Sequence, residues 1–134
     1  MHKISSYREL EVWQKSKNLV INIYKITKYL PFEERFALTD QMRRAAISIP
    51  SNIAEGQQRL GLKEYIRFLY ISKASTAELL TQLEITNELY PKLESQIIPL
   101  YKDYNILSRK IANLITSLKS LAINNKTNHT QHQP

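Results

Sequence analysis

The chain has 134 residues, 43% of them hydrophobic, with a formal net charge of +7. That size and composition fit one domain with its own core and exclude a generically disordered polyion. Two glycines and no cysteine exclude glycine-loop phosphate cradles, disulfides and thiolate metal sites.

The first helix is predicted from about Leu10 to Tyr29. Val12, Trp13, Ser16, Leu19, Val20, Ile23 and Thr27 share one stripe, with Lys15, Asn18, Asn22 and Lys25 opposite. Pro31 ends it, because proline cannot continue a helix and disfavours helical geometry in Leu30. The second helix is predicted from about Thr39 to Glu55 and kinked at Pro50. Leu38, Met42, Ala45, Ile49 and Ile53 form its buried stripe. Thr39 or Asp40 is expected to cap it, and Gly56 to follow as a left-handed terminating residue.

The third helix is predicted from about Leu62 to Leu89. Leu62, Ile66, Leu69, Thr76, Leu80, Leu83 and Asn87 make a near-heptad seam, flanked by Tyr65, Ser72 and Leu79. The fourth, from about Leu93 to Leu121, repeats Leu100, Tyr104, Leu107, Ile111, Leu114, Leu118 and Leu121 at steps of three and four. Pro99 is expected to bend or break its first turns. Residues 122–134 are polar and without period, which predicts a disordered tail after a bundle domain over 1–121. Short connections make successive helices antiparallel, so the expected fold is all-α: an up-down-up-down four-helix bundle.

No apolar run approaches the ~18–20 residues of a membrane span. The start "MHKISSYRELEVWQ" lacks the apolar block of a secretory signal, so a cytoplasmic protein with no membrane contact is expected. His2, His129 and His132 all lie near the ends, away from any oriented catalytic partner. "HTQH" has metal-ligand spacing but sits in the expected tail, and no helix carries the Glu-x-x-His pair of a two-metal bundle. No enzyme activity, metal or cofactor is therefore expected. A weaker third reading has Glu55 and Asn52 doing acid–base work in a pocket.

The stretch "RRAAISIPSNIAEGQQR" poses the main question. Arg44, Ser48, Asn52 and Glu55 fall along one shoulder of the second helix, where a buried polar group without partners costs about 1–3 kcal/mol. They are predicted to form an internal polar network that answers the lost hydrogen bond at Pro50, whose ring displaces the carbonyl of Ala46. Small residues Ala45, Ala46, Ser48, Ser51 and Ala54 are matched by Ser72, Ala74, Ser75, Thr76 and Ala77 in the third helix, predicting a close-packed waist. Ile47, Tyr70, Ile71 and Ile85, with Ile21, fall off the core stripes and are the candidate self-association contacts.

"LEVWQKSKNLVINIYKIT", "FALTDQMRRAAISIPSNIAEG" with Arg59 three residues on, and "EYIRFLYISKASTAELLTQLEI" resemble the bacterial four-helix-bundle proteins encoded in intervening sequences of large-subunit ribosomal RNA genes. The accessory variability protein of diversity-generating retroelements is similar. The likeness is close from Tyr7 to Tyr90 and rests on periodicity alone in the fourth helix. It implies a homo-oligomeric ring, typically a pentamer, with a basic surface and no catalysis; in the retroelement relative the pentamer binds a reverse transcriptase and nucleic acid. By position the pattern falls on Arg44, Ser48, Asn52, Glu55, Gly56, Arg59, Phe68, Ser75 and Glu78. Gln57, Gln58 and Ala74-Ser75 depart from it.

The charge and the resemblance together lead to a non-enzymatic, ring-forming protein that binds RNA or DNA, or a nucleic-acid enzyme such as a reverse transcriptase. The candidate phosphate contacts are Arg43, Arg59, Lys63 and Arg67. The rival is a protein-interaction scaffold whose positive charge serves solubility or an acidic partner.

Overall fold

The computed structural model describes residues 6–131, with side chains described through residue 126. Four helices run in order: α1 Glu11–Thr27, α2 Leu38–Gln57, α3 Leu62–Leu89 and α4 Glu94–Gln131. Short 3-10 turns precede α1 at Tyr7–Glu9, α2 at Phe32–Glu34 and α4 at Pro91–Leu93. Each helix packs on the next and α1 closes on α4, which makes the all-α up-down bundle expected from the pattern. Among the described residues, no helix is long and apolar enough to cross a membrane.

The helix ends follow local chemistry, with several departures from expectation. Pro31 is extended at φ −65°, ψ 156° and holds the chain out of helix between α1 and α2. α2 begins at Leu38 after Ala37, with no side-chain cap, so neither Thr39 nor Asp40 does the expected work. Gly56 is not a terminating residue: α2 continues to Gln57, and the left-handed glycine is Gly61, at φ 96° ahead of α3. α2 and α4 both run on through their prolines, Pro50 and Pro99. α4 also continues to Gln131, beyond the expected end at Leu121. No glycine or proline interrupts residues 122–131, so nothing there stops a helix already under way. Residues 132–134 of the expected tail lie outside the described residues.

The core is continuous along the bundle. Ile23, Met42, Ile49, Ile53, Leu69, Leu79, Leu83, Ile97, Leu107 and Ile111 are fully buried. α3 is rotated relative to its expected seam. Leu69, Ser72, Thr76, Leu79, Leu83 and Thr86 face inwards, while Leu62, Ile66, Leu80 and Asn87 are only half-buried. The buried hydroxyls keep helical geometry by bonding back one turn, as Thr27 does to the Ile23 carbonyl (2.8 Å) and Thr86 to that of Gln82 (2.7 Å).

Candidate functional site

The α2/α3 interface is built around small side chains. A Cβ added to Gly56 would lie 2.7 Å from the Cβ of Phe68, so glycine is what lets α3 approach there. Farther along, Ser48 Oγ and Ser75 Oγ are 2.9 Å apart. Asn52 Nδ2 donates both to the Ser48 carbonyl (2.8 Å) and to Ser48 Oγ (2.9 Å). Ser72 Oγ donates to the Ile49 carbonyl across the interface at 2.9 Å. The expected waist is therefore present in part: Ala45, Ala46, Ser72, Ser75 and Thr76 are buried, whereas Ser51, Ala74 and Ala77 face outwards.

Two members of the expected polar network are not in it. Arg44 points to solvent, its side chain 79% exposed, and its Nε donates to Asp40 Oδ2 one turn back at 3.0 Å. Glu55 is likewise at the surface and accepts from Arg59 Nη2 at 2.7 Å. The network that forms is Ser48, Asn52 and Ser75, with Ser72 beside it. Its side chains reach the carbonyls of Ser48 and Ile49 rather than that of Ala46. Asn52 and Glu55, weighed as an acid–base pair, are engaged with different partners.

The four candidate phosphate contacts also divide. Arg43 turns inwards: Nε donates to Thr27 Oγ1 at 2.9 Å, and its guanidinium lies 4.3 Å from the centre of the Tyr24 ring. It ties α2 to α1 and is removed from the candidate surface. Neighbours on a helix point about 100° apart, so Arg43 and Arg44 exchange the roles expected for them.

Arg59, Lys63 and Arg67 do come together, around the α2–α3 turn. The guanidiniums of Arg59 and Arg67 lie 5.0 and 4.6 Å from the centre of the Phe68 ring, which orders both. Arg67 binds Glu64 in a fork, with Nη2 at 3.0 Å from Oε2. That bond, and then the nearby positive charges of Arg67, Arg59 and Lys63, hold the Glu64 carboxyl below its ordinary range. The same bond raises Arg67. The cluster thus carries three cations and two carboxylates, with Lys63 in no ion pair among the described residues.

The candidate self-association residues are all partly exposed, but they do not form one compact patch. Tyr70 is turned towards α4, where the Lys119 ammonium meets its hydroxyl and ring. Ile85 lies fourteen residues beyond Ile71, roughly 21 Å along the helix axis. Sequence reasoning missed a more exposed group in the α1–α2 connection. Phe32 and Phe36 are 77% and 80% exposed, with the Arg35 guanidinium 3.7 and 4.4 Å from their ring centres. The signal was available in "YLPFEERF", where three aromatic rings sit in a polar connection.

Among the described residues, no group of acidic or histidine side chains could hold a metal ion. The "HTQH" motif lies outside the described side chains.

Residues 8–113 match the family model described as 23S rRNA-intervening sequence protein. Among solved structures, the chain is similar to a protein of unknown function from the S23 ribosomal protein family of Bacteroides thetaiotaomicron. The two share 22% identity with a TM-score of 0.70, over 78% of this chain and 97% of that one. At that identity the likeness speaks for the fold. No curated protein matches the sequence.

Proposed function

The chain belongs to the 23S rRNA-intervening sequence protein family, and from that premise we propose that it is a non-enzymatic, ring-forming bundle protein of the cytoplasm that binds nucleic acid through a basic surface. The observation that carries the reading is the gathering of Arg59, Lys63 and Arg67 at the α2–α3 turn of a chain whose net charge is +7. Guanidinium forks suit phosphate as well as carboxylate, so a phosphodiester exchanges with Glu55 and Glu64 while Lys63 adds an unpaired charge. Self-association would multiply this cluster around the assembly; the ring itself, and the number five, rest on the resemblance.

Affinity for mixed RNA and DNA at low and moderate salt tests this. Each phosphate contact releases counterions, so binding should weaken steeply as salt rises. Lys63→Ala should lower affinity and reduce the log–log salt slope by about one. Glu55→Gln and Glu64→Gln should tighten binding by freeing the arginines. Wild-type protein that binds neither polymer at low salt overturns the reading.

A second reading, a protein-interaction scaffold without nucleic-acid contact, is favoured by the exposed Ile47, Tyr70, Ile71 and Ile85. Light scattering bears on assembly in both: a monomer at micromolar concentration removes the ring and leaves those side chains unexplained. A nucleic-acid enzyme such as a reverse transcriptase is the partner to try first if the free polymers fail.

A further inference from the structure

The charge of this bundle is divided between its two ends. At the end that holds the α1–α2 and α3–α4 connections, residues 25–40 and 84–97 carry four lysines or arginines and six carboxylates. At the opposite end, residues 6–15, 55–67 and 109–126 carry nine and four. One end is therefore net acidic and the other strongly basic. Each also exposes apolar groups, and these differ in shape as the charges differ in sign.

The basic end carries a knob. Leu60 is 98% exposed on the turn between α2 and α3, where Gly61 at φ 96° leads the chain into α3. Arg59 and Lys63 stand on either side of it in the chain, and stacking on Phe68 keeps Arg59 in place. The acidic end carries a hollow of about 420 Å³, walled by Tyr29, Leu89, Tyr90, Pro91 and Leu93, with Lys92 as the cation in its wall. Glu34 and Glu33 stand beside it: after partial burial, their charges push the Tyr90 phenol above its ordinary value. Glu33, Glu34 and Glu88 have no ion-pair partner among the described residues. A single exposed leucine is ordinary. An aliphatic knob between cations at one end, and an apolar hollow beside unpaired carboxylates at the other, are complementary surfaces on one chain.

We propose that copies of this chain associate head to tail, with Leu60 of one entering the Tyr29/Leu89/Pro91 hollow of the next while Arg59 and Lys63 meet Glu33, Glu34 and Glu88. This rests on the self-association reading above, for which it names the contact, and not on nucleic-acid binding. The contact is heterologous, so a pair leaves one knob and one hollow open, and the series closes into a ring or continues as a chain according to the tilt between copies. Four helices about 10 Å apart present an end of roughly 400 Å². That is a small interface, so association depends on concentration, and its ion pairs make it weaken with salt.

The test is light scattering on the full chain over a concentration series at low salt, with Leu60→Asp, Leu89→Lys and Leu60→Met. Leu60 and Leu89 are both exposed, and melting curves check that each variant is folded. The wild-type mass should rise with concentration. Leu60→Asp sets a carboxylate against Glu33 and Glu34, and Leu89→Lys sets an ammonium against Arg59 and Lys63, so each should weaken association by at least about tenfold. Leu60→Met should behave as wild type. The decisive sample is an equal mixture of Leu60→Asp and Leu89→Lys: one intact knob then meets one intact hollow, and a complex of two chains, no larger, should form. Wild-type mass in either variant, or a mixture that forms no pair, overturns the head-to-tail contact and leaves self-association to other surfaces. A wild-type chain that stays single at every concentration removes both.

Discussion

The two seams of this bundle are built on opposite plans. At α2/α3, a glycine and several serines bring the backbones together, and hydroxyls bond across the gap. At α1/α4, lysines and amides stand along a furrow with cavities of about 180 and 350 Å³, and Lys110 reaches across to Glu11. A close interface transmits every change in volume, whereas an open one absorbs it. The first seam therefore specifies the fold, and the second tolerates changes in its side chains.

The sharpest way to break that contrast is to add volume to each side. Gly56→Val should cost about 3 kcal/mol, because its side chain runs into Phe68 and Tyr65 and the contacting Phe68 atom is fixed to the backbone. That corresponds to a fall in Tm of roughly 10 °C for a chain of this size. Asn18→Val, on the exposed rim of the furrow, should change stability by less than about 0.5 kcal/mol. Equal losses from the two substitutions would erase the distinction.

The same contrast explains what the sequence made legible. Helix existence, order and the limits of α3 at Leu62 and Leu89 follow from apolar period, which reads burial in large side chains well. It reads close approach poorly. Ser72, Ser75, Gln82 and Thr86 are buried because α3 meets two helices at once, yet hydropathy treats them as surface. Phe68 escaped the seam for the same reason. Gly56 looked like a helix end, since its value lies in the atom it lacks, and that becomes visible only with Phe68 opposite. Adjacent Arg43 and Arg44 show the limit of phase: an error of one residue exchanges inside for outside. The furrow was half legible, because Lys15, Asn18, Asn22 and Lys25 were seen as one face, but only the fold sets Gln96, Pro99 and Asp103 across from them.

The polar contacts of the close seam should register next. Ser72→Ala removes a buried donor to the Ile49 carbonyl and should cost about 1 kcal/mol. The Ser48→Ala/Ser75→Ala double variant should cost less than the sum of the two single substitutions, with a coupling of about 0.5–1 kcal/mol in a double-mutant cycle. Zero coupling would mean that the two hydroxyls are served separately.

The core between the seams holds the opposite case. The Tyr104 hydroxyl is fully buried with no hydrogen-bond partner among the described residues, so Tyr104→Phe should stabilise the fold by about 1 kcal/mol. Burial also pushes the Tyr104 phenol far up, and that of Tyr65 up to about 12. Above about pH 10 the unfolded tyrosines ionise while these two keep their protons in the folded chain. The native state then binds more protons than the unfolded one, so stability falls as pH rises from about 10 towards 12. The Tyr65→Phe/Tyr104→Phe variant should flatten that decline in urea titrations, and an unchanged slope would assign it to other groups.

The smallest expected effect tests the placement that moved furthest from expectation. Had Arg44 joined the Ser48–Asn52 network, its loss would have left buried acceptors unpaired and cost about 1–3 kcal/mol. With Arg44 exposed and paired to Asp40 one turn away, Arg44→Ala should cost no more than about 0.5 kcal/mol, a difference that salt should screen. Arg43→Ala is the paired control. It breaks the bond to Thr27 and uncovers the Tyr24 ring at the α1/α2 contact, so it should cost more than Arg44→Ala at every salt concentration. If the two arginines rank the other way, the inward and outward faces of α2 at this turn have been exchanged, and Arg43 returns to the list of residues available to phosphate.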